Sequence, residues 1–405
     1  MDIFDKHAHL AARHDKLVNL GADPFAVLVE VLNSPTEARV NGRKAILAGT
    51  NNYLGLTFDS ACVAAAEAAL RSHGTGTTGS RIANGTYEIH HALEQDLARF
   101  LRKRSCIVFT TGYQANLAMI SGLVGPQDTI FIDSDCHASI YDGCRLACAT
   151  LIRFRHNDPE DLDRRLARRS DTGGCKLVIV EGLYSMRGDV APLRDFVEVK
   201  VRHRAWLLAD EAHSLGVFGR HGRGLAEEQG VETEVDFVVG TFSKSLGAVG
   251  GFGASDHPKF DLLRYCARPY MFTASSSPAN IASVRAALYR IESDPTLRKR
   301  LWTNAERLHA GLRALGFDPC ASPGPIIALP LRSEASAARA WDLLRAVGIY
   351  VNLGLPPATP DGLCLLRCSV SAAHSTEQVD EICRGFRAVA SLLEATPQIG
   401  PDKIA

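Results

Sequence analysis

Between residues 104 and 254 the chain alternates short apolar runs with helical patterns: "SCIVFT", "DTIFID", "TLIRF", "KLVIVEG", "WLLADEA", "DFVVGT" and "VGGFGA". Runs this short, with no polar alternation, are what strands buried on both faces of a mostly parallel sheet look like. Two intervening segments, "DPEDLDRRLARRS" and "APLRDFVEVKVRHRA", carry the polar stripe and the Asp or Pro start of surface crossover helices. The expected class is therefore α/β with a mostly parallel central sheet. After residue 277 the pattern changes to long helices, "SPANIASVRAALYRIESD" and "TLRKRLWTNAERLHAGLRALG", then short strands at "PIIALPL", "IYVNL" and "CLLRCSV". A chain of 405 residues exceeds what one core usually serves. We expect an N-terminal helical segment (1–48), a large domain (49–276), a smaller C-terminal α+β domain (277–395) closing on a helix over 375–393, and a tail (396–405).

Composition narrows the function. Hydrophobic residues make up 46% and charged residues 22%, which argues against disorder. Lys+Arg and Asp+Glu both number 45, so no overall charge holds the chain to nucleic acid, and small molecules are the expected partners. The eleven cysteines include no C-x-x-C pair, so no metal site is expected, and single cysteines in apolar stretches fit a reducing cytoplasm. "MDIFDKHAHLAARHDKL" lacks a signal peptide's apolar centre and no stretch reaches membrane-span length, although peripheral membrane contact stays open.

"GTGTTGS" (74–80) has the G-x-G-x-x-G spacing of a dinucleotide site, which also needs a strand before it and a helix directly after. Upstream, "ACVAAAEAALRSH" is helical in pattern. Downstream, an Asn84-Gly85 turn precedes a helix expected to be capped by Thr86 and to run toward Phe100. The glycines mark a helix stop and turn.

Chemistry concentrates in "LLADEAHSLGVFGRHGRG" and "DFVVGTFSKSLGAVGGF". Asp210 ends an expected strand at the edge where open α/β sheets bind ligands, with His213 three residues on. Lys244 follows the next strand in a loop of small residues, where desolvation can make its amine reactive toward carbonyls. Lysine and aspartate on successive strand ends are the pair that a pyridoxal 5'-phosphate enzyme needs. A structural Lys–Asp ion pair would look the same.

At this point the chain resembles the α-oxoamine synthase family of fold-type I pyridoxal phosphate enzymes, over about residues 20–390. The resemblance rests on ordered motifs: "NNYLGLTFD", "GTGTTGSRIANGTYEIHHALE", "FTTGYQANLAMIS", "DSDCHASIYDGC", "RFRHND", "VEGLYSMRGDVAPL", "ADEAHSLGVFG", "GTFSKSLGAVGGF", "RPYMFTAS" and "PPATPDGLCLLRCS". It implies that Lys244 is the Schiff-base lysine and the base for the Cα proton, that Asp210 pairs with the pyridine nitrogen, and that His213 donates to the ring 3'-oxygen. His137 would stack on the ring. The backbone N–H groups of Gly112 and Tyr113 would bind the phosphate at a helix start, with hydroxyls from Thr241 and Ser243. Thr273 is similar to a phosphate contact donated by the neighbouring subunit, which implies a homodimer with shared active sites. Ser80 and Arg81 would bring the glycine-rich stretch around the active site. Arg367, assisted by Asn52, would pair with an amino-acid carboxylate.

The implied reaction is a decarboxylating condensation of L-serine with a long-chain acyl-CoA, palmitoyl-CoA, giving 3-ketosphinganine for sphingolipid synthesis. One position departs: serine-using members usually carry an arginine before the two prolines of "PPATP", where this chain has Leu355. Two alternatives follow. One is a condensation of alanine or glycine with another acyl-CoA or acyl-carrier thioester. The other is a non-catalytic partner subunit, against which the retention of Lys244, Asp210, His213 and His137 argues.

Overall fold

The computed structural model describes residues 2–169 and 173–390. The expected tail (396–405), and the expected closing helix beyond residue 390, lie outside them. The N-terminal segment, expected to be helical, has one main helix, Ala8–Asn19, followed by three strands: β1 (Val29–Leu32), β2 (Glu37–Val40) and β3 (Arg43–Leu47). The signal was a hairpin turn. Asn41 and Gly42 both have positive φ, 46° and 77°, as a two-residue turn between antiparallel strands requires, and β2 pairs with β3 directly across them. Alternation of buried Ala38 and Val40 with exposed Arg39 gives β2 one core face.

One compact unit comprises Asn52–Ser185 and Asp189–Lys299. All seven apolar runs form strands there: β4 (Ser105–Phe109), β5 (Thr129–Asp133), β6 (Thr150–Phe154), β7 (Lys176–Glu181), β8 (Trp206–Asp210), β9 (Phe237–Thr241) and β10 (Gly251–Ser255). Their order is β4-β10-β9-β8-β7-β5-β6. Only β10 runs antiparallel to its neighbours; the other pairings are parallel. The C-terminal ends of β4, β5, β7, β8 and β9 therefore share one edge of the sheet. Every residue of β5, β9 and β10 is buried, as runs without polar alternation require. The expected crossover helices are Pro159–Ala167 and Leu193–Arg202, the first capped by Asp158 with proline at its start. Helix Pro278–Ser293, capped by Ser277, packs on helix Ser60–His73 within this unit.

The glycine-rich stretch follows that last helix, which stops at Gly74 with φ 76°. No helix opens on its glycines. An added Cβ at Gly79 would lie 1.8 Å from Asn84 Oδ1, and one at Gly85 would lie 2.1 Å from the Gly79 carbonyl, so these glycines permit a folded loop. Ser275 N–H donates to the Gly79 carbonyl at 2.9 Å, and Ser80 bridges Ala274. The next helix is Glu88–Phe100, capped from Tyr87 rather than Thr86. Thr86 Oγ1 is otherwise engaged, accepting from Arg81 Nε at 3.0 Å and donating to the Arg81 carbonyl at 2.5 Å.

The other unit comprises the described residues up to Asn51, Met186–Gly188 and the described residues from Arg300 onward. It adds β11 (Ile326–Leu331), β12 (Ile349–Tyr350), β13 (Asn352–Gly354) and β14 (Cys364–Ser369). The run "IYVNL", expected as one strand, divides at Val351, whose carbonyl accepts from Trp341 Nε1 at 2.8 Å. Consequently β12 extends the β1-β2-β3 sheet while β13 joins a separate antiparallel sheet, β11-β14-β13. The closing helix runs Thr376–Ala390. All eleven cysteines are free thiols, six of them buried. Among the described residues no helix is long and apolar enough to cross a membrane.

Candidate active site

The shared strand edge of the first unit gathers most of the singled-out residues. Asp210 is the last residue of β8 and is buried. Its Oδ2 accepts from Asn116 Nδ2 at 2.7 Å and its Oδ1 from Ala212 N–H at 2.9 Å. The same Asn116 amide donates to Ser139 Oγ at 3.0 Å, which in turn lies 2.8 Å from His137 Nδ1. A continuous hydrogen-bonded chain therefore runs from Asp210 to His137. His137 also caps helix Ala138–Ala147 by accepting from Ser139 N–H, which fixes its ring, and Tyr113 meets that ring edge-on at 6.5 Å. Burial holds the His137 imidazole below its ordinary range; the Asp210 carboxylate pulls it up and the Lys244 charge pushes it further down. Lys244 is half-buried in the loop that follows β9. His213 is buried, its Nδ1 2.6 Å from the Tyr53 hydroxyl.

An anion cradle adjoins them. Helix Gly112–Leu123 opens three residues after β4, with Thr111 as its cap, so the free N–H groups of Gly112 and Tyr113 emerge at the sheet edge. A Cβ on Gly112 would sit 2.8 Å from the Thr241 side chain, and one on Gly251 would sit 2.7 Å from Gly112 Cα. Glycine at both positions lets the helix start approach the end of β9. Thr241 Oγ1 lies 2.9 Å from Ser243 Oγ, placing two hydroxyls beside that helix start. Thr273 Oγ1 accepts from Gln114 Nε2, on the same helix, at 3.2 Å. Ser80 is half-buried in the glycine-rich loop, and Asn52 Nδ2 donates to Thr57 Oγ1 at 2.8 Å.

In the other unit, Arg367 lies buried in the middle of β14. Its Nη1 donates to Ser369 Oγ at 2.9 Å and its Nη2 to Asn51 Oδ1 at 3.0 Å, both neutral partners. Leu355 is buried just before a cis Pro356–Pro357 peptide.

Known proteins resemble this chain along almost its whole length. The family model for aminotransferase class I and II matches residues 43–386. A serine palmitoyltransferase of Caulobacter vibrioides is 54% identical over 97% of this chain and 97% of its own. The chain belongs to the class I and II aminotransferase family, among its α-oxoamine synthases. Two solved structures are similar throughout. A serine palmitoyltransferase with its PLP internal aldimine has a TM-score of 0.95 at 46% identity, covering 98% of this chain and 100% of that one. The Sphingomonas wittichii serine palmitoyltransferase has a TM-score of 0.94 at 50% identity with the same coverage.

Within this α-oxoamine synthase fold, residues that sequence reasoning did not single out complete the site. Asn116 is one turn into its helix and buried, a polar residue on the inward face that marks a partner to be found. Tyr53 lies within the "NNYLGLTFD" motif. Glu181 ends β7 directly beside Asp210 in the parallel register and accepts from the His137 backbone N–H. Burial drives the Glu181 carboxyl well above its ordinary range and the Asp210 charge adds to that, while the His137 N–H and Lys244 oppose it. An apolar run ending in "VE" does not reveal such a carboxyl.

Proposed function

We propose that this α-oxoamine synthase uses pyridoxal 5'-phosphate to condense L-serine with a long-chain acyl-CoA, palmitoyl-CoA, with loss of carbon dioxide, giving 3-ketosphinganine. The observation that carries the reading is the buried Asp210, held by Asn116 at the same sheet edge as a glycine-started helix N-terminus and a lysine loop. The donor set fits the cofactor: a carboxylate for a pyridinium nitrogen, free amides with two hydroxyls for a phosphate, and a primary amine for an aldehyde. Asp210 would hold the ring nitrogen, and His213, oriented by Tyr53, would face the ring oxygen. Gly112, Tyr113, Thr241 and Ser243 would hold the phosphate, joined by Thr273 of the neighbouring subunit in a homodimer with shared sites. When bound, the cofactor supplies the electron sink that lets the amino-acid Cα lose its proton.

The remaining chemistry is assigned to side chains. Lys244 Nζ takes the Cα proton and returns one to that carbon after decarboxylation. Arg367, with Asn52 assisting, pairs with the substrate carboxylate; its fixed planar fork suits that anion. His137, oriented by Ser139, flanks the ring, and Ser80 contributes from the glycine-rich loop.

A second reading has one observation in its favour. Buried Leu355 offers no charge to a carboxylate, which favours alanine or glycine, with another acyl-CoA or acyl-carrier thioester, over serine. The experiment is thiol release from palmitoyl-CoA with L-serine, L-alanine and glycine offered separately. Release with serine alone supports the first reading; release with another amino acid and none with serine replaces it. Lys244→Ala abolishes release in either case.

A further inference from the structure

Two of the ordered motifs, "RFRHND" and "VEGLYSMRGDVAPL", enter the site above only through Glu181, and the structure brings them together. His156, just past β6, lies between two carboxylates: its Nδ1 is 2.8 Å from Asp133 Oδ1 and its Nε2 is 2.6 Å from Asp189 Oδ2. A neutral imidazole has only one N–H, so donating to both oxygens requires the imidazolium. The Tyr184 ring meets it edge-on at 4.4 Å. Asn157 closes the arrangement, its backbone N–H donating to Asp133 Oδ2 at 2.8 Å and its side-chain amide to Asp189 Oδ2 at 3.1 Å.

Asp133 is fully buried at the end of β5, and it starts the turn that delivers His137. The same Oδ1 that accepts from His156 accepts from Asp135 N–H at 2.9 Å, and the Asp133 carbonyl accepts from Cys136 N–H at 3.3 Å. Across the turn Tyr141 donates to the Ser134 carbonyl at 2.9 Å. The residue after Cys136 is His137, whose backbone N–H is held by Glu181. Three buried carboxyl groups, Asp133, Glu181 and Asp210, thus end neighbouring strands β5, β7 and β8. Removing the cation from this row would leave Asp133 buried without its charge partner and free the turn to move.

We infer that His156 is a positioning residue: clamped between Asp133 and Asp189, it locks the Asp133–His137 turn and so sets where the His137 ring sits beside the cofactor. Burial alone would pull the His156 imidazole down, but hydrogen bonds to Asp133 and Asp189 push it up to about 10, so the clamp is charged throughout the neutral range. The inference rests on the cofactor reading above.

The test titrates pyridoxal 5'-phosphate into the cofactor-stripped full chain, reading the dissociation constant, the induced circular dichroism of the bound cofactor and the melting temperature without cofactor. His156→Gln is expected to weaken cofactor binding about tenfold and to alter the dichroic band, with Asp189→Asn moving both the same way by less. Leu166→Ala, a cavity in the core of helix Pro159–Ala167, is the control: it lowers the melting temperature and leaves affinity and band unchanged. Wild-type affinity and band in both clamp variants would overturn the inference, as would a Leu166→Ala control that weakens binding as much as they do. If His156→Gln does not fold, Asp189→Asn decides. A wild-type chain that binds no pyridoxal 5'-phosphate would instead overturn the cofactor reading itself.

Discussion

Two histidines, both largely out of solvent, are treated oppositely by the two compact units. In the unit that carries β14, burial takes His374 down to about 4, although backbone groups of Leu47 and Ser371 pull the other way. In the unit that carries β4–β10, burial also acts against the His156 charge, yet two carboxylates push it up to about 10. The contrast extends beyond the histidines. In the β4–β10 unit His156 faces the carboxylates of Asp133 and Asp189, whereas in the β14 unit buried Asn304 donates to the Ser371 and His374 carbonyls, and Trp341 to that of Val351. Burial does not decide the charge of a group; what faces it does.

The largest expected effect lies at Glu94. Its Oε1 accepts from Arg81 Nη1 at 3.0 Å, Arg264 Nη1 at 3.1 Å and Val108 N–H at 3.0 Å, and both Glu94 and Arg81 are buried. Burial raises the Glu94 carboxyl, but the two guanidinium groups outweigh it and hold it below its ordinary value. Glu94→Ala leaves Arg81 buried without its partner and should cost about 3–5 kcal/mol in a denaturant titration. A cost below about 1 kcal/mol would erase the distinction drawn between the two units.

Stability against pH sharpens the comparison, because the two histidines act on opposite limbs. His374 has a folded value below its unfolded one of about 6.5. Its contribution is full above about 6.5 and is lost as pH falls toward about 4, by up to about 3 kcal/mol. His156 has a folded value raised to about 10, so its contribution is full below about 6.5 and is lost as pH rises through about 10. His374→Gln should flatten the acid limb of a melting-temperature profile and His156→Gln the alkaline limb. Exchanged effects would show that the partners have been assigned wrongly.

Most of this fold was legible because buried strands and surface helices leave periodic signals. All seven strands of the central sheet overlap the apolar runs; the reason is burial on both faces for β5, β9 and β10, buried at every residue, whereas the edge strand β6 is largely exposed and includes Arg153. The N-terminal strands were not read. The polar faces of β2 and β3 carry Arg39, Arg43 and Lys44, and only the Asn41-Gly42 turn marked a hairpin. In the candidate site, residues with reactive groups next to strand ends, such as Asp210 and Lys244, stood out in the sequence, whereas Arg367, in the middle of β14, was proposed from the resemblance. Those missed, Asn116, Tyr53 and Glu181, hold other groups of the candidate site, and their partners lie 44 to 160 residues away. No local pattern carries a contact of that range.

Smaller effects test the other unit. Asn304→Ala removes donors to two buried carbonyls at 2.9 Å each and should cost about 2 kcal/mol, less than Glu94→Ala because the groups left behind carry no charge.

The smallest effect is expected at Arg307, whose guanidinium pairs with both oxygens of Asp380 at 2.7 and 2.8 Å. By geometry this is a better-formed ion pair than any single contact around Glu94. It is also open to solvent, with 47% of the Arg307 side chain and 40% of that of Asp380 exposed. Water competes for both partners, and two mobile side chains must be ordered to form it, so Arg307→Ala should leave the denaturation midpoint unchanged within error. If the midpoint falls as far as in Glu94→Ala, geometry rather than enclosure governs ion pairs in this protein.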